Sequence, residues 1–434
     1  MTHGPPESKG KASPRKDPSE KNWIAAAIIA TTNRVHLRAS ERLLVYYLSR
    51  IRRGETQKVI SMILKETIRE KALELGFEDV GFTGVEPLDV YIREIDSRPP
   101  EMYGWVQTER FNTRRGAGVG KKHEWAKSLV VLIRNYHRRA FPPQMVGIMG
   151  RCYQVDERIE HAAEHQKLVD FMRFLKTQGI RVWFDEELPA RMAAARAGIV
   201  TYGKNCFAYA RKSMRGASWL ESIPLVLDAE LRPDEPSIEL GCPKWCKNAC
   251  IAACPTGALY APKKMNPLRC IAYNSYYNKG ITPLELREPM GTWVYGCDRC
   301  QEVCPRNLPW LNQELPQNEA LIERAQNFSL STLLTMNDDH YVNKVWPLAF
   351  YISRKNAAKW QMNAARALGN QGDPANVALL VQSLNNSPHA IVRGMSAWSL
   401  GCLGGARAKA ALEVQRSREN GPVGEEIEQA LEVI

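Results

Sequence analysis

Eight of the eleven cysteines lie within residues 242–304, and this density is the strongest constraint on what the chain can fold around. The eight are Cys242, Cys246, Cys250, Cys254, Cys270, Cys297, Cys300 and Cys304. The start of the sequence carries no recognisable export signal, so we expect a cytoplasmic protein in a reducing compartment, where disulfides are rare. Under those conditions such a density of cysteines indicates metal ligation.

The spacing of these cysteines indicates iron–sulfur clusters. A cysteine, three intervening residues and a Cys-Pro pair occur twice, ending at Cys254-Pro255 and Cys304-Pro305, as at the close of a bacterial ferredoxin run. In that arrangement the Cys-Pro cysteine of each run binds the cluster of the other run. We therefore predict two 4Fe–4S clusters, the first held by Cys242, Cys246, Cys250 and Cys304, and the second by Cys270, Cys297, Cys300 and Cys254.

Zinc is the alternative metal for these thiolates. Two structural zinc sites of four cysteines each would use the same residues, although zinc does not require the repeated Cys-Pro ending. Two iron–sulfur clusters carry electrons but leave the bond chemistry to another centre. No glycine-rich dinucleotide fingerprint follows a plausible strand, so the sequence offers no motif for a flavin or nicotinamide.

Composition and charge narrow the class of protein further. The 434 residues are 44% hydrophobic and 24% charged, which excludes wholesale disorder, and no stretch approaches the roughly 18 apolar residues of a membrane span. The net charge is +12, and residues 1–58 hold 12 Lys and Arg against 5 Asp and Glu. This basic N-terminal extension, with a predicted amphipathic helix over 38–53, suits nucleic acid first and a membrane surface second. A solubilising tail is the alternative.

Residues 59–235 alternate between helical and strand patterns, which predicts an α+β protein with an α/β core. The predicted elements are a helix and strand within 60–85, a strand over 127–134, a helix over 157–178, a strand over 181–185, a helix over 189–198 and a strand over 225–231. Residues 236–330 form the predicted ferredoxin-like two-cluster module.

The last part of the chain, residues 350–434, is predicted to form α-helical HEAT-like repeats. Residues 363–369 are echoed by residues 395–401, and residues 378–384 are echoed by residues 410–416, at the same offset in both cases. A repeated offset of this length is typical of stacked helical hairpins, which usually bind a partner or cap a neighbouring domain.

Several short stretches match a known family. They include Met102-Tyr-Gly-Trp, Asn135-Tyr-His, Arg191-Met-Ala-Ala-Ala-Arg-Ala-Gly, Gly203-Lys-Asn and Tyr295-Gly-Cys-Asp-Arg-Cys-Gln-Glu-Val-Cys-Pro. On these stretches the chain resembles the epoxyqueuosine reductases, cobalamin-dependent iron–sulfur enzymes that complete queuosine in tRNA and are themselves similar to reductive dehalogenases. The resemblance covers about residues 60–434, and the helical tail is similar to the long form of the family.

The resemblance implies a second cofactor and a set of site residues. The 59–235 core would bind cobalamin, and the module would deliver electrons to its cobalt. The implied contacts to the cofactor are Tyr153, Arg191, Lys204, Asn205, Trp219 and Ala272. Asp185 matches the catalytic aspartate of the family, which donates a proton near the cobalt.

The chemistry explains why an aspartate is needed. Removal of an epoxide oxygen as water requires a proton, and a carboxylic acid that stays protonated near neutral pH must be buried beside an apolar surface. Asp185 follows the apolar stretch Val182-Trp-Phe, so we expect it to be buried. The alternative is that Asp185 caps the helix that starts near Pro189.

Three functions compete on this reading. The first is a cobalamin-dependent reductase of epoxyqueuosine in tRNA, whose splayed anticodon bases can enter a pocket. The second is a reductive dehalogenase-like enzyme for a small organic halide, and the third is a non-catalytic corrinoid or electron-transfer protein. For the first we expect the tRNA anticodon stem-loop and an external electron donor such as a ferredoxin or flavodoxin as partners, with the protein a monomer.

Overall fold

The structure is a computed structural model that describes residues 56–154, 163–349 and 351–434. The chain divides into two compact units, residues 1–67 and residues 68–434. The helix predicted over 38–53 lies outside the described residues. In the part of the chain that is described, no helix combines the length and the apolar character needed to cross a bilayer.

The elements of the core follow the predicted order. The helices are α1 (Thr56–Glu74), α2 (Asp89–Asp96), α3 (Pro100–Tyr103), α4 (Thr113–Ala117), α5 (Val119–Lys122), α6 (Ala163–Thr177) and α7 (Ala190–Arg196). The strands are β1 (Asp79–Thr83), β2 (Ser128–Asn135), β3 (Val182–Phe184), β4 (Val200–Tyr202), β5 (Ala208–Ala210) and β6 (Leu220–Leu227). The first residues of the helix predicted over 157–178 lie outside the described ranges.

The main sheet has the strand order β1-β2-β6-β3, and β2 lies at its centre. Every residue of β2 is buried, as its continuous apolar run predicts. All three strand pairs are antiparallel, so the predicted α/β core is wrong and the core is α+β. The reason lies in the connections: Thr83 pairs with Leu129, so the helices between β1 and β2 leave and return at one end of the sheet.

Strand β6 begins five residues before its predicted start at residue 225. Its first half contains Glu221, Ser222 and Pro224, which interrupt the apolar pattern. Pairing with the buried β2 stabilises this half as a strand, and Pro224 lies opposite Val131. Tertiary pairing therefore overrides local strand propensity here.

The cysteine module consists of short elements joined by tight turns. Its helices are α8 (Ala249–Ala252), α9 (Ile271–Tyr276), α10 (Leu284–Arg287), α11 (Arg299–Glu302) and α12 (Leu308–Leu311), and its strands are β7 (Leu259–Ala261) and β8 (Lys264–Met265). A connecting segment follows, with α13 (Glu319–Ala325), α14 (Leu330–Thr335) and α15 (Asp338–His340).

The C-terminal region is a stack of paired helices, as the repeated offset predicts. Its helices are α16 (Ala357–Gln371), α17 (Val377–Asn386), α18 (Ala390–Leu403), α19 (Ala406–Arg416) and α20 (Gly421–Glu432). The repeated glycines mark close helix contacts, because a Cβ at Gly369 would lie 2.7 Å from Ser399 Oγ and one at Gly401 would lie 2.9 Å from Ala430 Cα. The helices share one hydrophobic core with Val294 and Tyr295 of the module.

Candidate active site

The eight cysteines of the module form two groups in space. Burial raises the pKa of the Cys250 thiol to about 11, and three neighbouring thiols add to the shift. Those neighbours are Cys304, Cys242 and Cys246. The structure therefore brings together the four residues predicted for the first cluster, and Cys304 joins them from the far end of the module.

The second group forms around Cys297 and Cys300. Burial raises the pKa of the Cys297 thiol well above its usual range, and the thiols of Cys270 and Cys254 raise it further. The pKa of the Cys300 thiol is raised by burial, then by Cys297 and Cys270, and then by Cys250, so the two groups are neighbours at this point. These four residues are the set predicted for the second cluster.

A four-iron cluster and a single metal ion place different demands on four thiolates. In such a cluster each thiolate binds a different iron atom, so the four sulfurs surround a volume and do not meet at one ion. Within residues 56–154, 163–349 and 351–434, no three His, Cys, Asp or Glu side chains converge as the ligands of a single ion would.

The core supplies hydrogen-bond donors to the first group of thiols. The Tyr209 hydroxyl donates to Cys304 Sγ over 3.1 Å, and the Lys204 backbone N–H donates to Cys242 Sγ over 3.3 Å. The Arg306 guanidinium lies over the Tyr209 ring, 4.6 Å from its centroid. Donors and positive charge around ligand sulfurs stabilise the negative charge of a reduced cluster.

A cavity of about 420 Å³ lies between the core and the module. This volume is within the range of about 300–1,000 Å³ that is usual for ligand sites. The lining residues are Tyr136, Cys152, Tyr153, Ala190, Arg191, Phe207, Ala208, Leu220, Glu221, Ser222, Ala272, Cys297, Asp298, Gln301 and Tyr351. Because Cys297 belongs to the second group of thiols, the cavity reaches the cysteine module directly. We call this space the reaction cavity.

Three of the six predicted cofactor contacts line the reaction cavity, namely Tyr153, Arg191 and Ala272. The Tyr153 hydroxyl shares a hydrogen bond with the hydroxyl of Tyr276. Arg191 donates to the Cys206 carbonyl over 3.1 Å. These contacts hold both polar side chains at the wall of the cavity.

The other three predicted contacts lie outside the reaction cavity. Lys204 extends to the module, where its Nζ donates to the Cys246 carbonyl over 2.9 Å. Asn205 is buried and donates to the Cys300 carbonyl over 3.1 Å. Trp219 is fully buried and packs against the His137 ring at 5.2 Å. These residues connect the core to the module or support the wall from behind.

Asp185 is buried, as predicted, but its surroundings are charged and not apolar. Its carboxylate lies 2.6 Å from Lys122 Nζ and 2.8 Å from His123 Nε2. It also accepts a hydrogen bond from the Glu187 backbone N–H. The capping alternative is wrong, because no side chain caps α7 at Pro189. In this conformation Asp185 lines a separate depression and does not line the reaction cavity.

The sequence reasoning missed Asp298, which lines the reaction cavity. Burial raises its pKa to about 6, although the charge of Arg151 and the Arg151 N–H, which donates over 2.8 Å, both lower it. The Arg151 guanidinium also pairs with Glu302. The available signal was an acidic residue between two closely spaced cysteines, but its partner Arg151 lies far away in the sequence.

Comparisons with known proteins agree with this geometry. The 4Fe-4S double cluster binding domain matches residues 242–307, and the HEAT repeats match residues 350–432. The epoxyqueuosine reductase of Bacillus subtilis is 31% identical over 382 residues, which cover 86% of this chain and 96% of that protein. The chain belongs to the epoxyqueuosine reductase family. The prediction of this family is thereby confirmed, and the matched domain supports the prediction of iron–sulfur clusters.

A second epoxyqueuosine reductase, from Bacillus anthracis, is 32% identical over 233 residues. That alignment covers 54% of this chain and 59% of the relative, so it spans less than two thirds of the relative's length. The predicted relation to reductive dehalogenases is not tested by these epoxyqueuosine reductases and stays a prediction.

Two solved epoxyqueuosine reductases share the fold. The Bacillus subtilis structure, described as having its catalytic loop swung out of the active site, has a TM-score of 0.72 at 27% identity and covers 86% of this chain and 100% of that one. A crystal structure of epoxyqueuosine reductase with an epoxyqueuosine-modified tRNA-Tyr stem loop has a TM-score of 0.72 at 26% identity, covering 86% and 99%.

Proposed function

We propose that this chain reduces epoxyqueuosine in tRNA to queuosine. The observation that carries the proposal is the position of Cys297 at the wall of the reaction cavity in a member of the epoxyqueuosine reductase family. A thiolate of a predicted cluster beside a ligand cavity provides a short path for electrons. No observation favours a small organic halide or a purely electron-carrying role.

The reaction has a simple balance. Both carbon–oxygen bonds of the epoxide break, a carbon–carbon double bond forms, and the oxygen leaves as water after taking up two electrons and two protons. The protein must therefore supply electrons from one side of the cavity and a positioned proton donor from the other.

We propose that the two groups of thiols hold one 4Fe–4S cluster each, in the sets predicted from their spacing. The second set, which contains Cys297, is adjacent to the reaction cavity and would pass electrons into it. The first set receives the hydrogen bonds of Tyr209 and Lys204 and would relay electrons from an external donor.

We propose cobalamin as the cofactor of the reaction cavity, where its reduced cobalt supplies electron density to the epoxide. Tyr153, Arg191 and Ala272 would contact the ring, because they line the cavity. The wall also offers a free polar group: the Ser222 hydroxyl oxygen is buried and has no hydrogen-bond partner among the described residues. Such an atom suits the polar edge of a large ligand.

Asp185 is the proposed proton donor. In this conformation it faces Lys122 and His123, so proton delivery requires the segment from Asp185 to Pro189 to turn toward the reaction cavity. A catalytic loop swung out of the active site is described for the Bacillus subtilis relative, and we propose the same relation here. Lys122 and His123 would hold the carboxylate in the resting state.

The proposed RNA partner is also suited to the charge of the N-terminal segment. The basic segment 1–58 suits the phosphates of tRNA, since Lys and Arg contacts to phosphate supply most non-specific affinity. The external ferredoxin or flavodoxin, the monomeric state and the cytoplasmic location stay predictions from the sequence.

The function is tested with anaerobically purified protein and a stem-loop RNA that carries epoxyqueuosine. We expect about eight irons and one cobalt per chain, from two four-iron clusters and one corrin. Mass spectrometry of the RNA should show loss of one oxygen atom when a reductant is supplied. The variant Asp185→Asn should keep both metals and lose at least about 100-fold in turnover, the usual contribution of a general acid.

The matched control is Glu124→Gln. Glu124 is an exposed carboxylate two residues after Lys122, the partner of Asp185, and this variant should turn over like the unmodified protein. Zinc in place of iron, absence of cobalt, or unchanged RNA in the presence of both metals would refute the proposed function. Full turnover by Asp185→Asn would refute only the assigned proton donor.

A further inference from the structure

Strand β3, at the edge of the main sheet, presents a large aromatic side chain to solvent. Trp183 is 57% exposed, although it lies in the middle of a strand. Beside it, the Arg181 guanidinium lies 4.0 Å from the centroid of the Trp125 ring. Lys122, Arg181, Trp183 and Asp185 contribute to a depression of about 550 Å³. We call the surface formed by Trp125, Arg181, Trp183 and Glu186 the Trp183 platform.

The charges of the platform favour a flat neutral ligand over a phosphate. Lys122 is already paired with Asp185 and Glu187. Among the described residues no ion pair involves the Arg181 guanidinium, although the Arg181 backbone N–H donates to the Asp228 carboxylate. Glu186 is exposed in the same depression and would repel an anion. A flat ring with an amino group suits both the exposed Trp183 ring, on which it can stack, and the Glu186 carboxylate, to which it can donate a hydrogen bond. Nucleobases have this chemistry.

The platform is close to the reaction cavity. Asp185 and Glu186 line the depression, whereas Ala190 and Arg191 line the cavity. Ala190 is four positions after Glu186, so their Cα atoms are at most about 14 Å apart. One single-stranded RNA loop can therefore reach both sites, because unpaired bases splay outward from the backbone.

We propose that the Trp183 platform binds a second, unpaired base of the RNA whose modified base enters the reaction cavity. This inference rests on the proposed function, since it takes the RNA of that reaction as its ligand. Trp183 stacks on the face of the base, and Arg181 holds Trp125 as the second wall. Glu186 accepts a hydrogen bond from the base edge in the resting conformation, before the segment from Asp185 to Pro189 turns toward the reaction cavity. The platform positions the loop and takes no part in the reduction.

The first test measures binding of the epoxyqueuosine-modified stem loop by fluorescence anisotropy. Trp183→Ala should weaken binding roughly 5- to 150-fold, the usual loss of one base-stacking contact. Trp183→Phe keeps a ring and should recover most of the affinity. Tyr260→Ala removes an aromatic ring of similar exposure, 58%, and should bind like the unmodified protein.

Salt dependence separates stacking from phosphate contact. Loss of a stacked base lowers the affinity equally at every salt concentration, so the slope of affinity against salt should be the same for Trp183→Ala and the unmodified protein. A flatter slope for Trp183→Ala would show that the site binds a phosphate and would overturn the proposal.

The second test replaces single loop nucleotides with abasic sites. At one position the abasic RNA should weaken binding to the unmodified protein but not to Trp183→Ala, because the same contact is already lost. The inference is overturned if the effects of Trp183→Ala and of the abasic site are additive at every loop position, or if Trp183→Ala binds as tightly as the unmodified protein. The proposed function still stands in that case, provided that the unmodified protein reduces the RNA. Failure of the unmodified protein to bind the RNA overturns both proposals.

Discussion

The Tyr209 hydroxyl donates a hydrogen bond to the Cys304 sulfur over 3.1 Å. Tyr209 belongs to β5 of the core, whereas Cys304 closes the cysteine run of the module. The Asn205 side chain donates in turn to the Tyr209 hydroxyl over 3.0 Å and holds it in place. A core residue thus stabilises charge on a proposed cluster ligand, and such hydrogen bonds are one means by which proteins set cluster potentials.

Tyr209→Phe removes this donor and leaves the ring in place. We expect the midpoint potential of one cluster to fall, because negative charge on the reduced cluster loses its stabilising O–H group. A redox titration followed by electron paramagnetic resonance measures both potentials. Tyr341→Phe, whose hydroxyl donates to backbone carbonyls in the C-terminal part, should leave both unchanged. If both cluster potentials of Tyr209→Phe equal those of the unmodified protein, the Tyr209 hydroxyl does not stabilise the reduced cluster.

Lys122 is the common partner of two buried carboxylates, those of Asp185 and Glu187. Lys122→Met leaves two negative charges side by side without this cation, so we expect a loss of about 3 kcal/mol in the free energy of unfolding. Denaturant unfolding measures it. The neighbouring Lys121 is exposed, and Lys121→Met should change stability by less than about 0.5 kcal/mol. Equal effects of the two variants would contradict the pairing.

His137 should make stability depend on pH. Burial and, next, the positive charge of Arg151 lower its pKa to about 4, whereas an unfolded chain has a histidine pKa near 6.5. Between these values the unfolded chain takes up a proton that the folded chain does not, so stability falls as pH falls from about 6.5 to about 4.

We therefore expect a loss of about 1 kcal/mol between pH 7.5 and pH 5.5, measured by denaturant unfolding under anoxic conditions. His137→Gln should flatten this dependence. His389→Gln, at an exposed position, should retain it. If His137→Gln loses as much stability between pH 7.5 and pH 5.5 as the unmodified protein, a group other than His137 causes the pH dependence.

Gly401 should tolerate no side chain. A Cβ there would lie 2.9 Å from Ala430 Cα in the neighbouring helix, and this backbone atom cannot move aside without separating α18 from α20. Gly401→Ala should cost about 1–3 kcal/mol, seen as a lower melting temperature. Gly104→Ala is the matched control, because no atom lies within 4 Å of its added Cβ and no loss is expected.

Local patterns were sufficient for much of this fold. The apolar run over 127–134 predicted β2 within one residue at each end, because a strand buried on both faces needs no alternation. The repeated glycines and the common offset predicted the helical stack. Antiparallel pairing was missed, because the end at which a connection returns depends on the packing of α2–α5 and not on the pattern of any one segment.

In the candidate site, too, local patterns predicted some features and long-range packing decided others. Cysteine spacing predicted an iron–sulfur domain, which the match over residues 242–307 supports, since ligand spacing along a loop is itself a local property. The assignment of each cysteine to one of two clusters stays a prediction. Lys204, Asn205 and Trp219, predicted as cofactor contacts, do not line the reaction cavity in this conformation, and their contact with a cofactor stays a prediction. Which face of a loop meets the cavity is decided by contacts with distant segments, such as that between Asn205 and Cys300.

Residue types at short, regular separations predicted an iron–sulfur domain, the helical stack and the family, because such patterns do not depend on which distant segments meet. Only the tertiary structure decided that Asp185 pairs with Lys122, that Asp298 faces the reaction cavity beside Arg151, and that Trp183 stands exposed next to the same segment. These relationships join residues that are far apart along the chain. Their energies depend on burial and on charges brought close by folding, and neither is written in a local pattern.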